Sequence, residues 1–234
     1  ILMSATLDAD LFSRYFGGCP IVTVPGRTFP IQRFTLEETL QRVRPAGPGQ
    51  DAVVIGGLAA WEATPEHCTT RPLDDERIIQ YDLIVDVVRH VHQEWADGAV
   101  LVFLPGIAEI NAAAELLAAD RDLQGVVWVL PLHSLLAPGQ QQLVFRRPPP
   151  GKLKVVLATN IAETSITIPD VTTVVDTGRV KQVQYDPRSK MQCLVEQWGS
   201  KAASKQRMGR AGRVREGRCF QLFTVETYAK MPDF

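Results

Sequence analysis

Two arginines that each follow a glycine, Arg210 and Arg213 in the stretch QRMGRAGRVREGR (residues 206–218), are the residues of this chain best suited to chemistry. A guanidinium presents a fixed fork of donors that matches phosphate oxygens. Two of them, with the amide of Gln206, can converge on a phosphoryl group and stabilise the charge that develops on it. A helix over Lys201–Ala211 would carry Gln206, Arg210 and Arg213 at i, i+4 and i+7, on one face. Gly209 and Gly212 each cost a helix about 1 kcal/mol relative to Ala. That cost is reasonable where another surface must approach bare backbone, and it makes a merely solvated basic helix a poor explanation. Yet the chain holds no phosphate cradle: there is no GxxxxGK[ST], and Gly151-Lys152 is followed by Leu153. Spacing alone does not say which phosphate the arginines serve.

The elements that must position these residues are those of an ordinary globular chain. The sequence has 234 residues, 45% hydrophobic and 22% charged, enough for one large domain or one domain plus part of another. No apolar run reaches the roughly 18 residues of a membrane span. The opening ILMSATLDAD has neither the basic nor the apolar region of a signal peptide and reads as a strand cut at its start. Four cysteines without a CxxC pair argue against zinc and for reduced thiols in an intracellular setting, cytoplasmic or nuclear. The net charge of −1 conceals an asymmetry: from Gly151 onward 14 Lys and Arg face 8 Asp and Glu, out of totals of 25 and 26. A basic C-terminal third fits contact with phosphates, as it also fits a solvated basic face.

Strand-length apolar runs alternate with helical patterns. Strands are predicted at Ile1–Ala5, Ile21–Val24, Ile31–Leu36, Val100–Leu104, Val126–Leu130, Lys154–Ala158, Val171–Asp176 and Cys219–Phe223. Helices are predicted at Ala9–Phe16, Glu76–Trp95, Ile107–Ala119, Gly139–Phe145 and Lys201–Ala211. Residues 44–73, rich in Pro, Gly and Ala, read as an insertion or loop with a small element at Val53–Trp61. Val180–Tyr185 and Met191–Gln197 flank DPRSK and predict a β-hairpin with a basic tip, to which Lys181, Arg188 and Lys190 add positive charge. The alternation predicts an α/β fold with a parallel sheet covered on both faces. Such sheets bind ligands beyond the C-terminal ends of their strands, which singles out Gly106, Ser134, Thr159, Asn160 and the loop after Asp176.

QRMGRAGR resembles motif VI of superfamily 2 helicases of the DEAH-box and RNA helicase A-like group. Ser4-Ala5-Thr6 resembles motif III, LVFLPGIAEI (101–110) motif IV, PLHSLL (131–136) motif IVa and ATNIAETSITIPDV (158–171) motif V, all in family order. The resemblance covers nearly the whole chain. It implies a RecA-like parallel sheet with helices on both faces plus a projecting hairpin at 180–197. It further implies that residues 1–18 end a first RecA-like domain and that 19–234 form the second. ATP in that family lies between two such domains. The first carries the phosphate loop and the DEAH carboxylates, so the arginines here would serve a phosphate held by the other half, with Mg2+ held mainly there too.

The resemblance also assigns roles. Arg210 and Arg213 would contact the γ-phosphate, Arg213 as the finger, and Gln206 would place the phosphate or the attacking water. Phe145 matches the aromatic that stacks on adenine. The family's usual ribose-contacting Asp is replaced by Pro169, with Asp170 following. Gly106, Ser134, Thr159 and Asn160 match positions that hold a single RNA strand by its backbone, a task for small groups that read no sequence. Arg188 and Lys190 at the hairpin tip would help separate strands, Ser4 and Thr6 would couple the two domains, and His133 would be a structural neighbour of Ser134. The implied function is the second motor domain of an ATP-dependent RNA helicase translocating 3′ to 5′, partnered by RNA, the first domain and C-terminal accessory domains, with no membrane. Two other readings compete: a non-catalytic RNA-binding module derived from a helicase, and an unrelated flavodoxin-like domain. Intact Gln206, Arg210 and Arg213 speak against the first, and motif V and the arginines against the second.

Overall fold

The computed structural model describes residues 9–22, 29–44, 79–95, 98–164, 166–186 and 190–234. Six strands form one parallel sheet in the order β1-β8-β5-β2-β4-β3: β1 Ile31–Phe34, β2 Ala99–Phe103, β3 Val127–Leu132, β4 Leu153–Ala158, β5 Val171–Asp176 and β8 Gly217–Gln221. Every residue of β2, β4 and β5 is buried. That is the signature of strands covered on both faces, and it explains their near-continuous apolar runs.

The two-residue period of a strand divides the core into two layers. Val100 and Val102 of β2, with Val155 and Leu157 of β4, pack beneath α3 (Tyr81–Glu94) and α4 (Ile107–Ala119). Leu101 and Phe103, with Val156 and Ala158, face the opposite layer, which includes Val144, Ala162, Ile168 and Ala211. The second layer is therefore built largely from the segments that resemble motifs V and VI.

A separate antiparallel pair, β6 Arg179–Asp186 and β7 Met191–Trp198, projects after β5. The chain returns through α7 (Lys201–Met208) to β8. This is the expected RecA-like α/β arrangement with its hairpin.

Several local readings need correction. The strand predicted to Leu36 stops at Phe34, because Thr35 begins a helix instead, α2 (Leu36–Val43). The Thr35 hydroxyl accepts from Glu38 N and the Glu38 carboxylate accepts from Thr35 N, a reciprocal capping box. A first helix, α1 (Ala9–Tyr15), forms as predicted, whereas Ile21 and Val22 are not in a strand and residues 23–24 lie outside the described residues. The helix predicted over Gly139–Phe145 is a short α5 (Pro138–Gln141) followed by a 3₁₀ turn, Gln142–Phe145. The predicted motif V loop contains one helical turn, α6 (Ile161–Thr164), and a last helix, α8 (Val225–Lys230), follows β8. Ser4, Thr6, Arg188, the strand at Ile1–Ala5 and the element at Val53–Trp61 lie outside the described residues.

Candidate nucleotide and nucleic-acid interfaces

The helix expected to run to Ala211 ends at Met208. Gly209 still has helical angles (φ −60°, ψ −11°), but the next bonds are i→i−3, from Arg210 N to Arg207 O and from Ala211 N to Met208 O. Tightening of the last turn is a common helix ending. Arg210 and Arg213 thus stand on the turn beyond α7 and not on a helix face with Gln206. The two glycines also differ. A Cβ at Gly209 would meet only ordinary contacts. At Gly212 it would come 2.7 Å from the Phe29 carbonyl oxygen and from the Ile31 side chain. The surface that needs bare backbone at Gly212 is this chain's own approach to β1.

The arginine turn is held against motif V. Arg210 is nearly buried, and its guanidinium donates to the Ile166 carbonyl at 3.2 Å and to the Glu163 carbonyl. Its Nε has no partner among the described residues. Arg213 is exposed and donates to Thr167 Oγ1. Burial, and after it the neighbouring charge of Arg213, lower the Arg210 pKa below the usual guanidinium value. Two neighbouring guanidiniums, one buried and braced and one exposed, have the charge and the donor geometry that suit an anion.

Motif V continues from Thr167 to Asp170, whose carboxylate lies 2.7 Å from the ammonium of Lys154. Lys154 is fully buried in β4, and it also donates to the carbonyls of Val144 (2.8 Å) and Arg146 (3.0 Å). Those carbonyls flank Phe145. The adjacent Val144 is in the core, whereas Phe145 is 46% exposed, so core packing does not account for the aromatic ring. Lys154 therefore joins the segment bearing Phe145 to the segment bearing Asp170, and motif V carries the line on to Thr167 and Arg213.

At its other end motif V begins on the C-terminal edge of the sheet. Because β2, β4 and β3 are neighbours, the loops that follow them lie side by side, bringing together Gly106, then Thr159 and Asn160, then Ser134. Thr159 N donates to Leu132 O at 3.1 Å, which ties two of these loops directly. Ser134 and Asn160 are exposed and Thr159 is half-buried. Gly106 caps α4 in an extended conformation (φ −165°, ψ −178°). A Cβ there would lie 2.7 Å from Glu109 Oε2 and 3.0 Å from Lys181 Nζ, the ends of two flexible side chains that would have to shift. Lys190 is exposed at the hairpin turn with φ 55°. Lys181 does not add a free charge to the hairpin: its ammonium binds both oxygens of Glu109, at 2.7 and 2.8 Å.

Residues 80–215 match the helicase conserved C-terminal domain family. The chain belongs to that family. It is 42% identical over 262 residues to the DExH-box ATP-dependent RNA helicase DExH4, chloroplastic, of Arabidopsis thaliana, a match covering 99% of this chain and 18% of that protein. It is 41% identical to the ATP-dependent RNA helicase DHX30 of Gallus gallus (100% of this chain, 18% of that protein). It is 38% identical to the ATP-dependent DNA/RNA helicase DHX36 of Rattus norvegicus (100% and 26%). The crystal structure of the E. coli DExH-box NTPase HrpB superposes with a TM-score of 0.73 at 30% identity, over 99% of this chain and 24% of that one. The chain thus spans about a quarter or less of the length of these relatives. Over its whole length it is similar to DExH/DEAH-box helicases in sequence and in fold.

In this helicase domain a buried network joins motif V, the end of β5 and the hairpin root. Arg207, within motif VI, is 2% exposed. Its guanidinium donates to Asp176 Oδ1 (2.8 Å), to Glu163 Oε2 of motif V (3.1 Å) and to the Arg179 carbonyl at the hairpin root (3.4 Å), and it lies 5.0 Å from the centre of the Phe103 ring. Burial alone would lower the Arg207 pKa, but Asp176 and then Glu163 outweigh it and hold the pKa above its usual value. Asp176, fully buried, also accepts from Ser204 Oγ and Gly178 N, each at 2.9 Å. Sequence reading passed over Arg207 because it lies between two residues with family roles. Lys154 did leave a signal, as the one charge inside the apolar run LKVVLA. Among the described residues no group of three or more His, Cys, Asp or Glu could hold a metal ion, and no helix is long and apolar enough to cross a membrane.

Proposed function

We propose that this domain is the second motor half of an ATP-dependent RNA helicase and that its two interfaces handle different substrates. The observation that carries the reading is the Arg210–Arg213 turn: two adjacent guanidiniums braced by motif V, with no anion cradle in the same chain. In this reading Arg213 reaches the γ-phosphate of an ATP bound to the first RecA-like domain. Arg210, more rigidly held, fixes the phosphate oxygens, and Gln206 orients the phosphate or the attacking water. Fixed charges aimed at the transferring group stabilise the transition state without reorganisation. Phe145 offers a ring face to the adenine. Asp170, with one carboxylate oxygen beside Lys154, would line the ribose side. Magnesium would be held by the first domain.

Gly106, Ser134, Thr159 and Asn160 would grip the backbone of a single RNA strand at the opposite end of motif V, and the hairpin tip with Arg188 and Lys190 would stand at the duplex junction. Ser4 and Thr6 would couple the two halves. Stepping would run 3′ to 5′, as in the group the chain resembles.

The test is made in the full-length protein. Arg213→Ala and Arg210→Ala should each lower RNA-stimulated ATP turnover by roughly 10³–10⁵, the usual consequence of losing an arginine finger, while RNA affinity changes little. A fall of less than about tenfold with collapsed RNA binding would assign the arginines to RNA instead.

A further inference from the structure

The hairpin is joined to the body of the domain at few points. Among the described residues its strands pair only with each other. At the root, Gly199 N donates to Gly178 O (2.8 Å), Arg207 donates to the Arg179 carbonyl, and Trp198 packs edge-on against Phe223. Farther out, Val183, Tyr185, Met191 and Leu194 are exposed. A hinge at the root alone would leave such an arm free to swing.

Among the described residues, one side-chain pair joins the hairpin to the body beyond the root. The Lys181 ammonium is held by both carboxylate oxygens of Glu109, in the first turn of α4. Both groups are mostly shielded, with side chains 24% and 15% exposed, so solvent weakens the pair less than it would on an open surface. Both fill the space that a side chain at Gly106 would take: the Lys181 Cδ atom lies 3.2 Å from where a Cβ of that residue would be. The neighbouring groups are charged as well: Glu196 is the cross-strand partner of Lys181 and is itself paired with Arg179 at 3.0 Å. The Tyr81 phenol, pushed up to about 12 by burial and by Glu109 and Glu196, closes the cluster from α3.

We propose that the Lys181–Glu109 pair is the tie that fixes the hairpin's orientation against the strand-gripping loop at Gly106, and that both are positioning residues for duplex separation. The first half rests on geometry; the second rests on the helicase reading above. Lys181 and Glu109 thus lie together beside the loop that carries Gly106, and with its charge held by Glu109 the lysine orients the arm.

Two readouts in the full-length protein test this. Spin labels on Cys193, which is exposed on β7, and on Glu115→Cys of α4, in a background free of other reactive cysteines, report the arm's orientation as a distance distribution. The parent should give a narrow distribution. Lys181→Met and Glu109→Gln should each broaden it, their combination should broaden it no further, and Lys181→Arg should leave it narrow. Duplex unwound per ATP hydrolysed should fall about fivefold in the broadened variants, with RNA-stimulated turnover unchanged. A distribution as narrow in Lys181→Met as in the parent would overturn the tie. Broadening without loss of unwinding would overturn the positioning role. A parent that shows no RNA-stimulated hydrolysis would refute the helicase reading, and the distance measurement would still decide the tie.

Discussion

Arg207 and Arg210 stand three residues apart, and their surroundings give them opposite duties. Arg207 is enclosed by Asp176 and Glu163, so its charge is spent inside the protein. Replacing it with Ala would leave a fully buried Asp176 without its cation, a loss that typically costs about 3–5 kcal/mol. Urea denaturation of Arg207→Ala should show that loss, whereas Arg213→Ala, on an exposed side chain, should unfold within about 0.5 kcal/mol of the parent. Phe145 permits a similar separation. Because its ring is half-exposed and Val144 supplies the packing, Phe145→Ala should leave the melting temperature unchanged. It should raise the KM for ATP about three- to tenfold, the worth of one aromatic stacking contact. A drop in melting temperature with unchanged KM would make Phe145 a packing residue.

Among the secondary-structure elements, the hairpin and α2 show how far the sequence could be read. Both hairpin strands were legible to within a residue at each end, because β-prone runs flank a turn-forming DPRS and no helical period competes. Helix α2 escapes the sequence reading because apolar Phe34 and Leu36 flank Thr35 in a strand-like alternation. The Thr-x-x-Glu box that stops the strand was present all the same. Thr35→Ala should therefore destabilise the domain by about 1 kcal/mol, measurable by thermal unfolding. Helix α7 starts where the sequence predicts, capped by Ser200, but ends three residues sooner. Glycines 209 and 212 tolerate helical angles, and only the tertiary fit of Gly212 against Phe29 and Ile31 decides that the chain turns. The candidate site was legible where a motif names a residue. The joins between motifs, Lys154 under Phe145 and Arg207 under the hairpin root, depend on burial and leave no periodic trace. For the hairpin as a unit, shortening the turn at residues 186–189 in the full-length protein should impair duplex unwinding and spare RNA-stimulated ATP hydrolysis. Loss of both with a lower melting temperature would instead mark the hairpin as a packing element.

Taken as a whole, the domain places the two candidate interfaces at the two ends of motif V. The arginine turn and Phe145 lie along one stretch, and the small residues of three adjacent loops lie along the other. The proposed division of labour needs a second domain, because an anion receptor without a phosphate loop completes only one side of a clamp. The most direct test is RNA-stimulated ATP hydrolysis by the purified 234-residue chain, shown folded by circular dichroism, beside the same chain joined to a first RecA-like domain bearing a phosphate loop and a DExH sequence. The account predicts no turnover above background for the chain alone, and RNA-stimulated turnover for the joined protein that Arg213→Ala abolishes. Robust turnover by the chain alone, lost in Arg213→Ala, would contradict it.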